Sequence, residues 1–255
     1  MKRLLIATCV FASLVSFLLI SVPAFAALDL EGLVGLWLLD DGKGDVAEDS
    51  SANKNDGTVD RGAKWDKGVF SGGLVTAAQN GINVPISDSL NTVVDAISIG
   101  GWFRIDADSD TGLRRDSAYL LEDQSATEAT PDAWAFTIWS GGSYALVWGT
   151  IKVIKGEWTH IAGTYDGKIQ SLYINGELDT TVNKTGKIDT PANALGLGKY
   201  SSETYIGGMD EIFLFNRALS QKEIKELMKG YKSAMAVAPA SSKLATAWGR
   251  LKSYK

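Results

Sequence analysis

From Leu33 onward the chain is a succession of short runs rich in Val, Ile, Trp, Tyr and Phe, separated by Gly, Asp and Asn. Such side chains pack well on a pleated surface and lose rotamer freedom in a helix, so runs of this length between turn formers favour sheet. Strands are predicted at Leu33–Leu39, Gly81–Pro85, Ala96–Ile105, Ala118–Glu122 and Trp134–Trp139. Further strands are predicted at Ala145–Val153, Trp158–Asp166, Ile169–Asn175, Glu177–Val182 and Tyr205–Asn216. Asp166-Gly167 and Asn175-Gly176 each separate two runs and are read as two-residue hairpin turns, which makes residues 158–182 a three-strand meander. Ser220-Gln-Lys-Glu223 is a capping box that opens a short helix through about Lys229, with Ile224, Leu227 and Met228 on its packing face. The pattern predicts an all-β domain of two packed antiparallel sheets with a short C-terminal helix.

The ends of the chain read differently. Met1-Lys2-Arg3, an apolar run from Leu4 to Leu19 and the small-residue site Ala24-Phe25-Ala26 predict a signal peptide over residues 1–26. That run is shorter than the ~20 residues of a spanning helix, and no later segment reaches this length, so no integral membrane segment is expected in the mature chain. The expected location is secreted, extracellular or cell-surface-associated. Cys9 is the single cysteine and precedes the cleavage site, so the mature domain must be held by core burial, with or without a metal. Residues 27–231 read as one domain, and residues 232–255 as a Pro/Ala/Ser linker and a basic tail carrying Trp248. The formal charge of -5 becomes -7 once Lys2 and Arg3 are removed, which argues against nucleic acid as a partner.

Four segments in order carry a resemblance. They are Gly35-Leu-Trp-Leu-Leu-Asp40 with Glu48 to Gly57; Ile97-Ser-Ile-Gly-Gly-Trp102-Phe-Arg; Trp158 to Lys168 with Leu172-Tyr-Ile-Asn-Gly176; and Gly208 to Ser220. Over roughly Leu28 to Lys229 the chain resembles the laminin-G-like family of concanavalin-A-like jelly rolls. The resemblance implies a jelly-roll sandwich, often with one structural calcium, used for sugar or protein recognition outside cells. Ala52 stands where the family usually has Gly. One fold of this kind serves lectins, adhesion modules and hydrolases, so function rests on the site.

Glu48 to Gly57 brings three carboxylates and two Asn amides into ten residues, a donor set that suits calcium and equally suits a turn bonded to its own backbone. Strict alternation along Gly207–Phe215 places Asp210 with Ile212 and Leu214, on a strand whose two faces both look buried. An ionised carboxylate there needs a cation or several donors. Together with the family resemblance this gives a structural calcium held by Asp49 and Asp210, with Asn53 and Asn55 contributing oxygens. His160, the single histidine, is read as a packing residue and rules out a multi-imidazole zinc centre. The Glu-x-Asp-x-x-Glu strand pattern of hydrolases on this sandwich is absent, and Asp210-Glu211 are expected on opposite faces, so no catalytic pair is named.

Trp134, Trp139, Tyr144 and Trp148 lie within fifteen residues among Gly and Ser, and Tyr200 follows near another Gly-rich turn. Exposed rings stack on sugar C–H faces and also anchor protein partners, while buried ones fill the space between sheets. The expected ligand-binding residues are Trp134, Trp139, Trp148 and Tyr200. The expected function is a secreted, non-enzymatic recognition module for a glycan, with an extracellular protein partner as the alternative and a divergent glycoside hydrolase third.

Overall fold

A computed structural model describes residues 28–77, 79–109, 111–123, 132–201 and 203–236. The expected signal peptide, Trp248 and the basic tail lie outside the described residues. The strands begin with β1 (Leu33–Trp37), β2 (Val46–Ala47), β3 (Gly57–Val59), β4 (Lys64–Lys67), β5 (Gly72–Thr76) and β6 (Ile82–Val84). They continue with β7 (Ile97–Ile105), β8 (Leu113–Arg115), β9 (Tyr119–Asp123), β10 (Ala133–Ser140), β11 (Ser143–Lys152) and β12 (Trp158–Tyr165). The last are β13 (Ile169–Ile174), β14 (Glu177–Asn183), β15 (Leu195–Leu197), β16 (Lys199–Tyr200), β17 (Glu203–Thr204) and β18 (Gly207–Phe215), followed by helices α1 (Gln221–Leu227) and α2 (Tyr231–Ala236).

The first sheet runs β14-β13-β12-β7-β18-β5-β4, with β1 also on β18; the second runs β11-β10-β9-β8-β15-β6-β3-β2. Every pairing is antiparallel. This is the two-sheet jelly-roll sandwich with a short C-terminal helix that the sequence predicts. Inward side chains of both sheets form one core that includes Trp37, Phe103, Trp134, Phe136 and Tyr205. A second cluster, built on Leu36, Phe213, Phe215, Leu219, Ile224 and Leu227, seats α1 on the outer face of the first sheet.

The predicted meander is present as β12-β13-β14, and its two turns differ. Asn175 (φ 50°) and Gly176 (φ 74°) both have positive φ, as the mirror-image two-residue hairpin turn requires. The other turn is longer than expected, Asp166-Gly167-Lys168, and the Asp166 carboxylate fastens it by accepting N–H bonds from Lys168 and Ile169 at 2.9 and 2.7 Å. The capping box forms as read: Ser220 N–H donates to the Glu223 carboxylate at 2.8 Å, and the Glu223 N–H to the Ser220 hydroxyl at 3.4 Å.

At the C-terminal side the structure departs from expectation. Residues 232–236, read as the start of a linker, complete α2. The Tyr231 N–H donates to the Glu211 carboxylate at 2.8 Å and the Lys232 ammonium pairs with Asp40 at 2.5 Å, so α2 is fastened to β18 and to the turn after β1. Removing residues 231–236 leaves the buried Glu211 without that donor, a loss of about 1–3 kcal/mol. A chain ending at Gly230 should melt several degrees below one ending at Ala236 by calorimetry, at about 2–4 °C per kcal/mol for a domain of this size.

Candidate functional site

The early loop is a self-bonded turn. Asp49 is fully buried and accepts from the Leu36, Ser51 and Asn55 N–H groups at 2.8, 2.8 and 2.7 Å and from the Ser51 hydroxyl at 2.7 Å. Asn53 donates its amide to the Leu33 and Val34 carbonyls, and Asn55 donates to Val34 while its oxygen takes the Ser87 and Ser89 hydroxyls. The loop thus ties β1 to the 3-10 turn at Leu90–Thr92 by protein donors alone.

Asp210 belongs to a different network. Its carboxylate accepts from the Val69 and Phe70 N–H groups at 2.7 and 3.2 Å, and it shares no hydrogen-bond partner with Asp49, Asn53 or Asn55. Among the described residues no three His, Cys, Asp or Glu side chains gather as a metal cluster. The calcium arrangement expected for Asp49, Asn53, Asn55 and Asp210 therefore does not fit. Both Asp49 oxygens and the Asn55 amide oxygen already accept hydrogen bonds, and the Asn53 and Asn55 amides turn their NH2 groups towards carbonyls.

A β-bulge corrects the alternation along β18. Asp210 pairs with Trp102 and Phe213 with Gly100, so Glu211 (φ 53°) and Ile212 are accommodated against a single residue of β7. Met209, Ile212 and Leu214 consequently face the core, while Phe213 and Phe215 face the outer cluster. Asp210 has the same parity as Phe213 in the β7 register and lies on the outer face, where Glu211 also meets Tyr231. The two carboxylates are not on opposite faces, contrary to the sequence reading. Both are buried, Asp210 being 1% and Glu211 7% exposed. Burial pushes Asp210 up to about 6 against the Phe70 and Val69 bonds, and pushes Glu211 up to about 7 against the Tyr231 bond.

His160 is a packing residue, as read. It is 1% exposed, stacked on Phe213 and edge-on to Trp102, and burial lowers its pKa to about 3.

The aromatics divide by strand parity. Trp134, Phe136 and Ile138 of β10 point into the core, and Trp134 is 2% exposed against Phe103 at 4.7 Å. Trp134 is therefore not a surface ligand contact, contrary to expectation. Trp139, five residues on, has the opposite parity and faces outward. On β11, Val147 is in the core, so Tyr144, Leu146 and Trp148 face outward too. The register sets Trp139 opposite Tyr144, Thr137 opposite Leu146 and Ala135 opposite Trp148. Trp139 and Tyr144 form a tilted pair with centroids 5.9 Å apart at 46°. Trp139 and Trp148 are half-buried and Tyr144 is 67% exposed, beside Ser140 and Ser143 at the hairpin tip.

Tyr200 lies elsewhere, in β16, which pairs with β17 as a separate two-stranded sheet. Its ring stacks at 4.0 Å on the guanidinium of Arg114, which is held by Glu203 at 2.6 and 2.7 Å and by Asp116 at 2.8 Å. Beside it is a cleft of about 250 Å³ lined by Asn83, Asn193, Gly196, Lys199 and Ser201. Leu120, Ala135 and Thr137, on the outer face between the two places, are buried, so the Tyr200 cleft and the hairpin patch are separate.

This chain belongs to the concanavalin A-like lectin/glucanases superfamily, whose laminin-G-like model matches residues 76–225. Mouse pappalysin-1 is 32% identical over 77 residues, 28% of this chain and 5% of that protein's length. Domain 4 of AbnA, an extracellular arabinanase of Geobacillus stearothermophilus solved with arabinotriose, superposes with TM-score 0.60 at 20% identity over 76% of this chain and 97% of that one. The binding domain of Paraclostridial mosquitocidal protein 1 gives TM-score 0.62 at 17% identity, over 79% of this chain and 52% of that one. Trypanosoma rangeli sialidase gives 0.58 at 17%, over 82% and 34%. These likenesses establish a lectin/glucanase-like fold. Among the described residues no helix is long and apolar enough to cross a membrane.

Two outcomes follow from this geometry. Melting curves in calcium and in chelator should coincide, while Asp49→Ala, which leaves three buried N–H groups unpaired, should lower stability by at least about 1–3 kcal/mol in a denaturant titration. The lone imidazole signal in NMR should keep neutral-ring shifts down to about pH 4, because the folded pKa lies well below the ordinary value of 6.5.

Proposed function

We propose that this domain is an exported, non-catalytic carbohydrate-binding module that takes its ligand on the outer face of the β10–β11 hairpin. The observation that carries the reading is the same-face grouping of Trp139, Tyr144 and Trp148, partly open to solvent. Flat rings at such a surface match the apolar C–H face of a sugar. The arabinotriose held by the AbnA domain makes that trisaccharide the natural first probe. The start of the sequence, with its basic residues and apolar run, supports export. Burial of Asp210 and Glu211, an adjacent pair of carboxylates with raised pKa values, supports binding without catalysis at that pair.

A glycan array that includes arabino-oligosaccharides tests the reading. Binding should fall about five- to thirtyfold in Trp139→Ala and in Tyr144→Ala, the equivalent of about 1–2 kcal/mol for an anchoring ring, with circular dichroism unchanged. Trp134→Ala should instead lose about 3–5 kcal/mol of stability, as a core truncation. An array without signal, together with capture of an extracellular protein that Tyr144→Ala abolishes, would turn the assignment to an adhesion module.

A further inference from the structure

The hairpin that carries the aromatic pair turns through Ser140-Gly141-Gly142-Ser143, with positive φ at Gly141 (61°) and Gly142 (75°). A side chain placed at either glycine would meet nothing within 4 Å, so the tip projects into open space and packing does not fix it. Asp189 does. Its carboxylate accepts the Gly141 N–H on one oxygen and the Gly142 N–H on the other, each at 2.8 Å, and its own N–H donates to the Trp139 carbonyl at 3.0 Å. The segment bearing Asp189 is itself rooted. Ile188 is 2% exposed with its N–H on the Val94 carbonyl at 2.7 Å, and the Tyr165 hydroxyl donates to the Gly186 carbonyl at 2.7 Å. A carboxylate on a fixed segment thus grips both sides of the turn whose strands present Trp139 and Tyr144.

We propose that Asp189 is the positioning residue of this aromatic notch, and that the notch takes a neutral saccharide through its apolar face without a cation. The proposal rests on the carbohydrate reading for its ligand and on the hydrogen bonds for its mechanism. A hairpin tip ordered in advance does not lose that freedom on binding, so the free energy of stacking appears as affinity. Each Asp189 oxygen accepts an N–H group of the turn. The carboxylate that borders the notch is thereby engaged in holding the turn. What faces the ligand is the two rings.

The test uses full-length mature protein, the variants Asp189→Ala and Asp189→Asn, and arabino-, xylo-, gluco- and galacto-trisaccharides as probes. Amide exchange at Gly141 and Gly142 should speed up roughly tenfold or more in Asp189→Ala, and less in Asp189→Asn, which keeps one acceptor, while the melting temperature stays close to that of the parent. The near-ultraviolet dichroism of the Trp139–Tyr144 pair should weaken in the same order. Affinity for the bound trisaccharide should fall about threefold to tenfold in Asp189→Ala, remain equal in calcium and in chelator, and fall no further when Asp189→Ala is added to Trp139→Ala. Unchanged exchange at the two glycines, or the same loss with and without the Trp139 ring, would overturn the positioning role. Binding abolished by chelator would overturn the cation-free notch. If none of the trisaccharides binds the parent protein, the carbohydrate reading and the ligand half of this proposal fall together. The exchange rates still decide what Asp189 does to the hairpin.

Discussion

The architecture depends on β18. All nine of its residues are buried, one edge is paired with β7, and the other is shared end to end by β5 and β1. A strand enclosed in this way has little room for charge, yet it carries Asp210 and Glu211. The bulge resolves the conflict. Under the unbulged alternation that keeps Ile212 and Leu214 inward, Asp210 would turn into the core with them, where an unpaired carboxylate would cost several kcal/mol. With it, Met209, Ile212 and Leu214 all reach the core, while the two carboxylates face outward to peptide N–H groups. One binds the turn at Val69–Phe70 and the other binds the start of α2, so a local irregularity in the central strand positions two segments distant in sequence.

The long strands were legible because each pairs a β-branched or aromatic run with a clear turn signal, and β7, β10, β12, β13 and β18 all lie where the sequence puts them. Most of the short ones were not, β6 excepted. β2, β3, β4, β8 and β15 contain two to four residues, and β5 begins with Gly72-Gly73, so neither period nor propensity marks them. The bulge at Glu211 leaves no compositional mark and inverts the parity of everything after it. The parity of Trp134 and Trp139, by contrast, was available from the sequence. An odd separation on one strand puts them on opposite faces, and Phe136 and Ile138 share the parity of Trp134, which identifies its side as the inner one.

The loop at Glu48–Gly57 shows why residue type alone underdetermines a site. Asp and Asn at this density serve a calcium ion or a turn closed on itself, and the difference lies in where the neighbouring N–H groups point. Here the Leu36 N–H comes from β1 and the Ser51 and Asn55 N–H groups from within the loop, so the fold supplies the donors that a cation would otherwise replace. Tyr200 is a comparable case. Its position over the sheet depends on a tight turn that brings the Lys199 carbonyl against Gly196, a contact no side chain at 196 would permit.

Locating a binding surface on β10–β11 raises a physical difficulty, because this hairpin ends its sheet, and an edge strand with exposed rings beside open N–H groups invites pairing with another chain. The carboxylates at its border answer both requirements at once. Asp189 takes the N–H groups of the turn and Asp179 takes that of Thr150, so the tip and one donor towards the far end of the edge strand are already paired with acidic groups. Charge at these points also repels a second acidic copy of the domain, within the roughly 10 Å over which such fields persist at physiological salt. The rings can therefore stay exposed for a ligand without making the edge adhesive, and β18, buried at the centre of the other sheet, bears none of the cost of changing them.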